Sequence, residues 1–163
     1  MISGGLSIYQ ISSSFDWLGR GEAFWGIPNA VVLMVLLYIV AHFVMSRTTV
    51  GRYIYAVGGN PEAARLSGVP VKRILLWVYT VSGALAGLGG VVMASQFRSG
   101  DPKYGLMYEL YVIAAVVVGG TSLAGGRGKV FGTLIGAFII AVIQNGMNLT
   151  GVQSYTQKVV LGL

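Results

Sequence analysis

The chain has 163 residues, 55% hydrophobic and only 10% charged, whereas a soluble domain carries about 25% charged residues. Its formal net charge is +6, with no cysteine and a single histidine, which excludes disulfides, thiolate metal sites, cysteine nucleophiles and a histidine-built metal centre. No charge falls in residues 26–46, 74–96, 110–126 or 130–157. Such segments match the ~20 apolar residues needed to cross a bilayer, and they predict an all-α, polytopic membrane helical bundle.

Residues 1–26 are polar to amphipathic, with Tyr9, Phe15, Trp17, Phe24 and Trp25. Tyr and Trp concentrate at membrane–water interfaces, so this stretch reads as an external loop lying on a membrane face. It lacks the basic n-region and continuous apolar h-region of a signal peptide. Residues 26–46, "GIPNAVVLMVLLYIVAHFVMS", form the first predicted span. His42, near its end, reads as a proton relay or, preferably, as an interface-proximal histidine with access to water near Arg47. Residues 47–73 carry five of the eleven cations, Arg47, Arg52, Arg65, Lys72 and Arg73, against Glu62 alone. Cations enriched in one loop between two spans mark it as cytoplasmic. That placement makes the basic balance a topology signal, and no nucleic-acid partner is expected.

Inside that loop, "NPEAARLSG" (residues 60–68) has the grammar of a short, water-exposed helix. Asn60 is a strong N-cap, Pro61 suits the first helical position and Glu62 complements the positive helix end. Ala63, Ala64, Arg65 and Leu66 are good helix formers, Ser67 follows, and Gly68 before Pro70 is a natural stop. Two turns are too few to be stable alone in water, so the helix must rest on something. Its small surface, with Ala63 and Leu66 one turn apart, suits the groove of another protein. An ordinary interfacial helix is longer and carries large apolar side chains.

Residues 74–95 form the second predicted span, with Gly83, Gly87 and Gly90 around Ala86. Small residues at this spacing let helices approach closely in lipid, where apolar burial alone drives no association. Residues 96–107 read as a short external loop with turn signals at Gly100 and Pro102. The third span is expected over residues 108–126, although its strongly apolar part, 110–118, is short. Glu109, at its outer edge, suits a helix start at least as well as an intramembrane functional acid.

"GGTSLAGGRG" (residues 119–128) holds five glycines in ten residues. It cannot easily stay helical in lipid, and irregular backbone at membrane depth must be buried by protein or line a wet cavity. A phosphate-binding loop is excluded, because Leu123 and Val130 stand where its first glycine and its Ser or Thr belong. Arg127 and Lys129 mark a second inside loop. The fourth span is expected over residues 130–149, with Gly132 and Gly136 as a further packing pair. Among polar residues in the spans, Thr121, Ser122, Gln144 and Asn145 are candidates for a translocation pathway. Thr80, Ser82 and Thr133 share the alternative of bonding neighbouring helices. The terminal "KVVLGL" starts a fifth apolar segment without finishing it, so the expectation is about four complete spans, no separate soluble domain, and a longer parent chain.

Three ordered blocks resemble one family: "GRYIYAVGGNPEAARLSGV" (residues 51–69), "YELYVIAAVVVGGTSLAGGRGKVFGTLIGA" (108–137) and "NGMNLTGVQSY" (145–155). They are similar to permease subunits of bacterial ABC sugar importers of the ribose/xylose/galactose branch. "FDWLGRGEAFWGIPNAV" (15–31) resembles that family's external loop entering the next span. The likeness runs essentially end to end. It implies the C-terminal half of an inner-membrane permease about twice this length, acting as a dimer, expected to be a homodimer. Its implied partners are a cytoplasmic ATP-binding subunit and a periplasmic sugar-binding protein. On that likeness residues 60–68 dock in a groove of the ATPase. No cofactor is expected on this chain, since ATP and Mg belong to the ATPase, and no catalytic or metal-binding residue is expected. The rival from another class is an ion-coupled secondary transporter of a small polar solute. Such proteins usually need a midplane acid, and none is evident here. An intramembrane enzyme is weaker still, for want of paired carboxylates, a zinc-binding helix motif or a serine triad.

Overall fold

The computed structural model describes residues 8–9, 21, 26–101, 105–106, 108–151 and 156. In chain order they form β1 (Ile8–Tyr9), α1 (Asn29–Arg47), α2 (Thr49–Gly59), α3 (Pro61–Leu66), α4 (Val71–Phe97), β2 (Ser99–Gly100), α5 (Tyr108–Val118) and α6 (Val130–Leu149). Phe15, Trp17, Phe24 and Trp25 of the predicted external loop, Pro102, and the incomplete fifth segment lie outside the described residues.

Helices α1, α4 and α6 are long and apolar enough to cross a membrane. Their 19, 27 and 20 residues give lengths of roughly 28, 40 and 30 Å, against about 30 Å of hydrocarbon. Large apolar side chains stand exposed along them, including Ile39, Trp77 and Val142. Helices apolar all round belong in lipid or among other membrane helices.

The third expected span is corrected by the structure. Helix α5 has 11 residues, about 16 Å, too short to cross unaided. It stops at Val118 because two glycines follow, and Gly120 takes φ +84°, a conformation costly to any other residue. The short apolar part of the sequence (110–118) marks this helix; the remainder of the expected span is loop. The second expected span, by contrast, is extended at both ends, as α4 starts at Val71 and runs to Phe97.

The chain divides into two compact units, residues 1–39 with 75–106, and residues 40–74 with 107–163. In the first, β1 and β2 pair antiparallel, Ile8 opposite Gly100 and Tyr9 opposite Ser99. This joins stretches from both predicted external loops. Among the described residues, Ser95 and Ser99 are buried polar residues of this unit, and both have bonding partners.

The second unit has two packing centres. Val57, Ala64 and Ile74 form a small core bordered by Ile54, Val69 and Val71, tying α2 to α3 and the start of α4. Helices α5 and α6 pack together, with Ala115 and Ile140 buried. Their register is antiparallel, since Gly119 meets Gly132 and Ala115 meets Gly136. A side chain at Gly136 would collide with the Ala115 carbonyl oxygen, and one at Gly132 with that of Gly119. The absence of Cβ atoms is what permits this approach. Gly132 and Gly136 thus have their close neighbours within the chain itself.

Candidate functional site

The basic loop is more helical than expected. At the end of α1 the Ser46 hydroxyl donates to the His42 carbonyl (2.6 Å) and the Thr48 hydroxyl to that of Val44 (2.7 Å). Thr48 then leaves the helical conformation (φ −104°, ψ 160°) and accepts from Gly51 N at 3.3 Å. It thereby ends α1 and caps α2. A Cβ on Gly51 would lie 2.5 Å from the carbonyl oxygens of Val44 and Met45, so the corner tolerates only glycine. His42 stacks at a tilt on Phe131, with ring centroids 4.6 Å apart.

Helix α3 is built by its ends. Asn60 closes α2 by donating N–H to Ala56 O (3.1 Å) and opens α3 by accepting from Ala63 N at its side-chain oxygen (3.0 Å). Pro61 occupies the first turn, where its missing N–H costs nothing. At the other end Gly68 N bonds Arg65 O and Val69 N bonds Ala64 O, both at 3.0 Å, with Gly68 at φ +83°. This is the paired 5→2 and 6→1 pattern of a glycine-terminated helix, and Val69 adds the accompanying apolar contact. The Ser67 hydroxyl donates to Ala63 O (2.9 Å). The Glu62–Arg65 ion pair (3.0 Å) is more than two-thirds exposed on both partners and adds little stability.

With six residues, α3 persists through these caps and through Ala64, which is 6% exposed against Val57 and Ile74. Ala63 faces outward, and Leu66 is 83% exposed. The two alanines therefore divide the work: Ala64 fastens the helix to its own loop, while Ala63 and Leu66 are presented. Asn60→Ala and Gly68→Ala are each expected to cost about 1 kcal/mol. That corresponds to roughly five-fold faster amide exchange over residues 63–66, measurable by hydrogen–deuterium exchange.

The glycine-rich loop between α5 and α6 lies against α2. A Cβ on Gly58 would sit 3.0 Å from Gly126 N, and one on Gly126 would sit 2.7 Å from the Cα of Gly59. Gly125 meets the Gly58 carbonyl. Beside them the Tyr55 hydroxyl donates to Gly128 O at 2.8 Å. Gly125 and Gly126 have φ of +82° and +71°, which lets their backbone lie flat on α2. The loop is braced by Ser122 N to Arg127 O (3.0 Å) and Gly125 N to Ser122 O (3.1 Å). A cleft of about 290 Å³ opens beside this junction, lined by Met45, Tyr55, Thr121, Arg127, Lys129 and Thr133 among others. Sequence reasoning required that the irregular backbone be buried by protein or line a wet cavity, but it did not identify α2 as the element against which it lies.

The four pathway candidates are not one cluster. Thr121 meets Gly128 and Ser122 accepts from Ala124 N (3.2 Å), both within the loop before α6. Gln144, half-buried, and Asn145, exposed, lie toward the far end of α6, roughly 20 Å along the helix. A Cβ at Gly83, Gly87 or Gly90 would meet nothing within 4 Å, so this face of α4 is open among the described residues.

The family model for branched-chain amino acid transport system / permease component matches residues 2–163. The chain is 48% identical over 146 residues to the ribose import permease protein RbsC of Escherichia coli K12, covering 90% of this chain and 45% of that protein. It is 46% identical over 149 residues to RbsC of Bacillus subtilis, covering 91% and 46%. It is also 46% identical over 137 residues to the xylose transport system permease protein XylH of Escherichia coli K12, covering 84% and 35%. The chain thus spans about half the length, or less, of these curated relatives. No solved structure matches it.

Proposed function

The chain belongs to the branched-chain amino acid transport system / permease component family, and on that premise we propose that it is the C-terminal half of an ATP-driven importer's membrane permease. The proposed cargo is a monosaccharide of the ribose, xylose or galactose class. Relatives named for ribose and xylose at 46–48% identity favour a sugar over the amino acids in the family's general description. Three long apolar helices suit a multi-pass protein of the bacterial inner membrane.

One observation carries the reading most directly. A capped six-residue helix buries Ala64 on its own loop and leaves Leu66 83% exposed between two membrane-crossing helices. Leu66 is then a small apolar anchor for a groove in a cytoplasmic ATP-binding subunit, with Ala63 letting the groove wall approach. Asn60, Pro61, Glu62, Arg65, Ser67 and Gly68 hold and flank the anchor. A periplasmic sugar-binding protein and a second permease copy complete the transporter. The open glycine face of α4 is placed against a membrane helix from the remainder of that assembly.

The mechanism needs no catalytic group in this chain. ATP binding closes the ATPase pair and moves its grooves, each groove carries α3 with it, and the spans re-pack between inward- and outward-open arrangements. The differential contact that biases the two states lies in the ATPase groove and not at the sugar.

The test is reconstitution of the full-length permease with its ATPase and sugar-binding protein in proteoliposomes. Uptake of labelled ribose or xylose is expected only with ATP on the ATPase side, and no uptake is expected from a proton or sodium gradient alone. Gradient-driven uptake without the ATPase would establish the ion-coupled alternative and overturn this reading.

A further inference from the structure

We propose that the junction of Tyr55, Gly58 and Gly59 with Gly125, Gly126 and Gly128 is a transmission contact. It delivers displacement of α3 directly to the α5–α6 pair. The inference rests on the reading of α3 as a docking element and adds the route by which the stroke leaves it.

Helices α2 and α3 are built to move together. Asn60 is at once the C-cap of one and the N-cap of the other, and Ala64 is buried on Val57. Tyr55, Gly58 and Gly59 lie three and four residues apart, on a single face of α2. That face meets the loop through backbone atoms: Gly58 against Gly126 N, Gly59 against Gly126, and the Gly58 carbonyl against Gly125. A backbone-on-backbone contact has no side-chain rotamer with which to absorb a displacement, and close-packed interfaces transmit strain. The Tyr55–Gly128 hydrogen bond adds a directional tie to the loop's far limb.

The loop passes the displacement on because it is cross-braced and its flanks are clamped. Ser122 bonds Arg127 across it, and Thr121 touches Gly128. Where the loop joins the helices, Gly119 is seated on Gly132, and one turn further on Ala115 meets Gly136. The connected path therefore runs from α3 through Asn60 and α2, across the glycine junction, into α5 and α6. Two other exits leave α3: the core contact of Ala64 with Ile74 leads into the start of α4, and the corner at Thr48 leads back to α1. The glycine junction is the one of the three that reaches the α5–α6 pair. Tyr55 and the glycines are thus positioning residues, acting on the membrane helices and not on cargo.

The experiment compares Tyr55→Phe and Gly58→Ala in the full-length transporter, reconstituted with its ATPase and binding protein. It measures the ATPase retained, the ATP hydrolysed and the sugar moved per ATP. Tyr55→Phe removes the hydrogen bond and preserves the ring; Gly58→Ala inserts a Cβ 3.0 Å from Gly126 N. ATPase retention and hydrolysis are expected to persist, while sugar moved per ATP falls roughly five-fold for Tyr55→Phe, as loss of one hydrogen bond implies, and further for Gly58→Ala. A purely structural role would lower the amount of assembled complex and leave the ratio unchanged. An unchanged ratio in Tyr55→Phe overturns the proposal even if Gly58→Ala fails to assemble. Leu66→Asp separates the two readings. If it releases the ATPase while Tyr55→Phe keeps a normal ratio, docking stands and the transmission route fails; if it releases nothing, the docking reading itself fails.

Discussion

Leu66→Asp in the full-length permease is expected to abolish sugar uptake and to prevent recovery of the ATP-binding subunit with the purified permease. Leu66 is 83% exposed, so the substitution removes little contact within the chain and should leave its fold and membrane insertion intact. A charge forced into an apolar groove loses the burial of the leucine and adds the cost of an unpaired carboxylate. Anchor residues of this kind typically cost at least 2 kcal/mol on truncation to alanine alone. Leu66→Ala is accordingly expected to weaken association by tenfold or more (about 1.4 kcal/mol per tenfold) with partial uptake remaining. Co-purification at fixed detergent and salt, alongside uptake in proteoliposomes, checks both. The neighbouring Ala64→Asp would not serve. Ala64 is 6% exposed beneath the helix, and a carboxylate there would dismantle the loop before any partner arrived.

Gly136→Leu is expected to have the largest effect on the protein itself. Even a Cβ at this position would overlap the Ala115 carbonyl oxygen and approach Gly119 N to 2.8 Å. Both are backbone atoms, so neither can step aside as the end of a flexible side chain could. The helices must separate, losing the Gly119–Gly132 seat one turn away as well. Overpacking costs of about 3 kcal/mol or more are expected, with markedly less folded permease recovered from membranes and a lower melting temperature in detergent. Gly146→Ala is the matched control. It lies on the same helix, a Cβ there meets nothing within 4 Å, and removing a helix-interior glycine adds up to about 1 kcal/mol. Equal loss in both variants would show that the α5–α6 contact does not govern stability.

Features encoded by residues close together were legible from the chain. Asn60, Pro61 and Gly68 announce both ends of α3 because caps are made within a few residues of the helix they close. The apolar helices α1, α4 and α6 are visible as charge-free runs, and the shortness of α5 is foreshadowed by residues 110–118. Helix α2 was less evident, because Gly51, Gly58 and Gly59 depress helix propensity. Thr48 as a cap, followed by no proline until Pro61, was the signal available. Its glycines are tolerated because they serve close approach, at the α1 corner and at the loop, and that reason is tertiary.

The sequence by itself determined the class of protein, the charge-free apolar runs of α1, α4 and α6, and the start and stop of the exposed helix. Each follows from composition or from hydrogen bonds between near neighbours. Only the tertiary structure decided that Ala64 is buried while Leu66 is presented, and that Gly132 and Gly136 meet α5 while Gly83, Gly87 and Gly90 remain open. It alone revealed that the loop around Gly125 and Gly126 is seated on α2. A glycine or alanine reads the same whichever surface it faces. Which small residue becomes a contact depends on the backbone that arrives opposite it, and for Gly58 that backbone, at Gly126, lies 68 positions further along the chain.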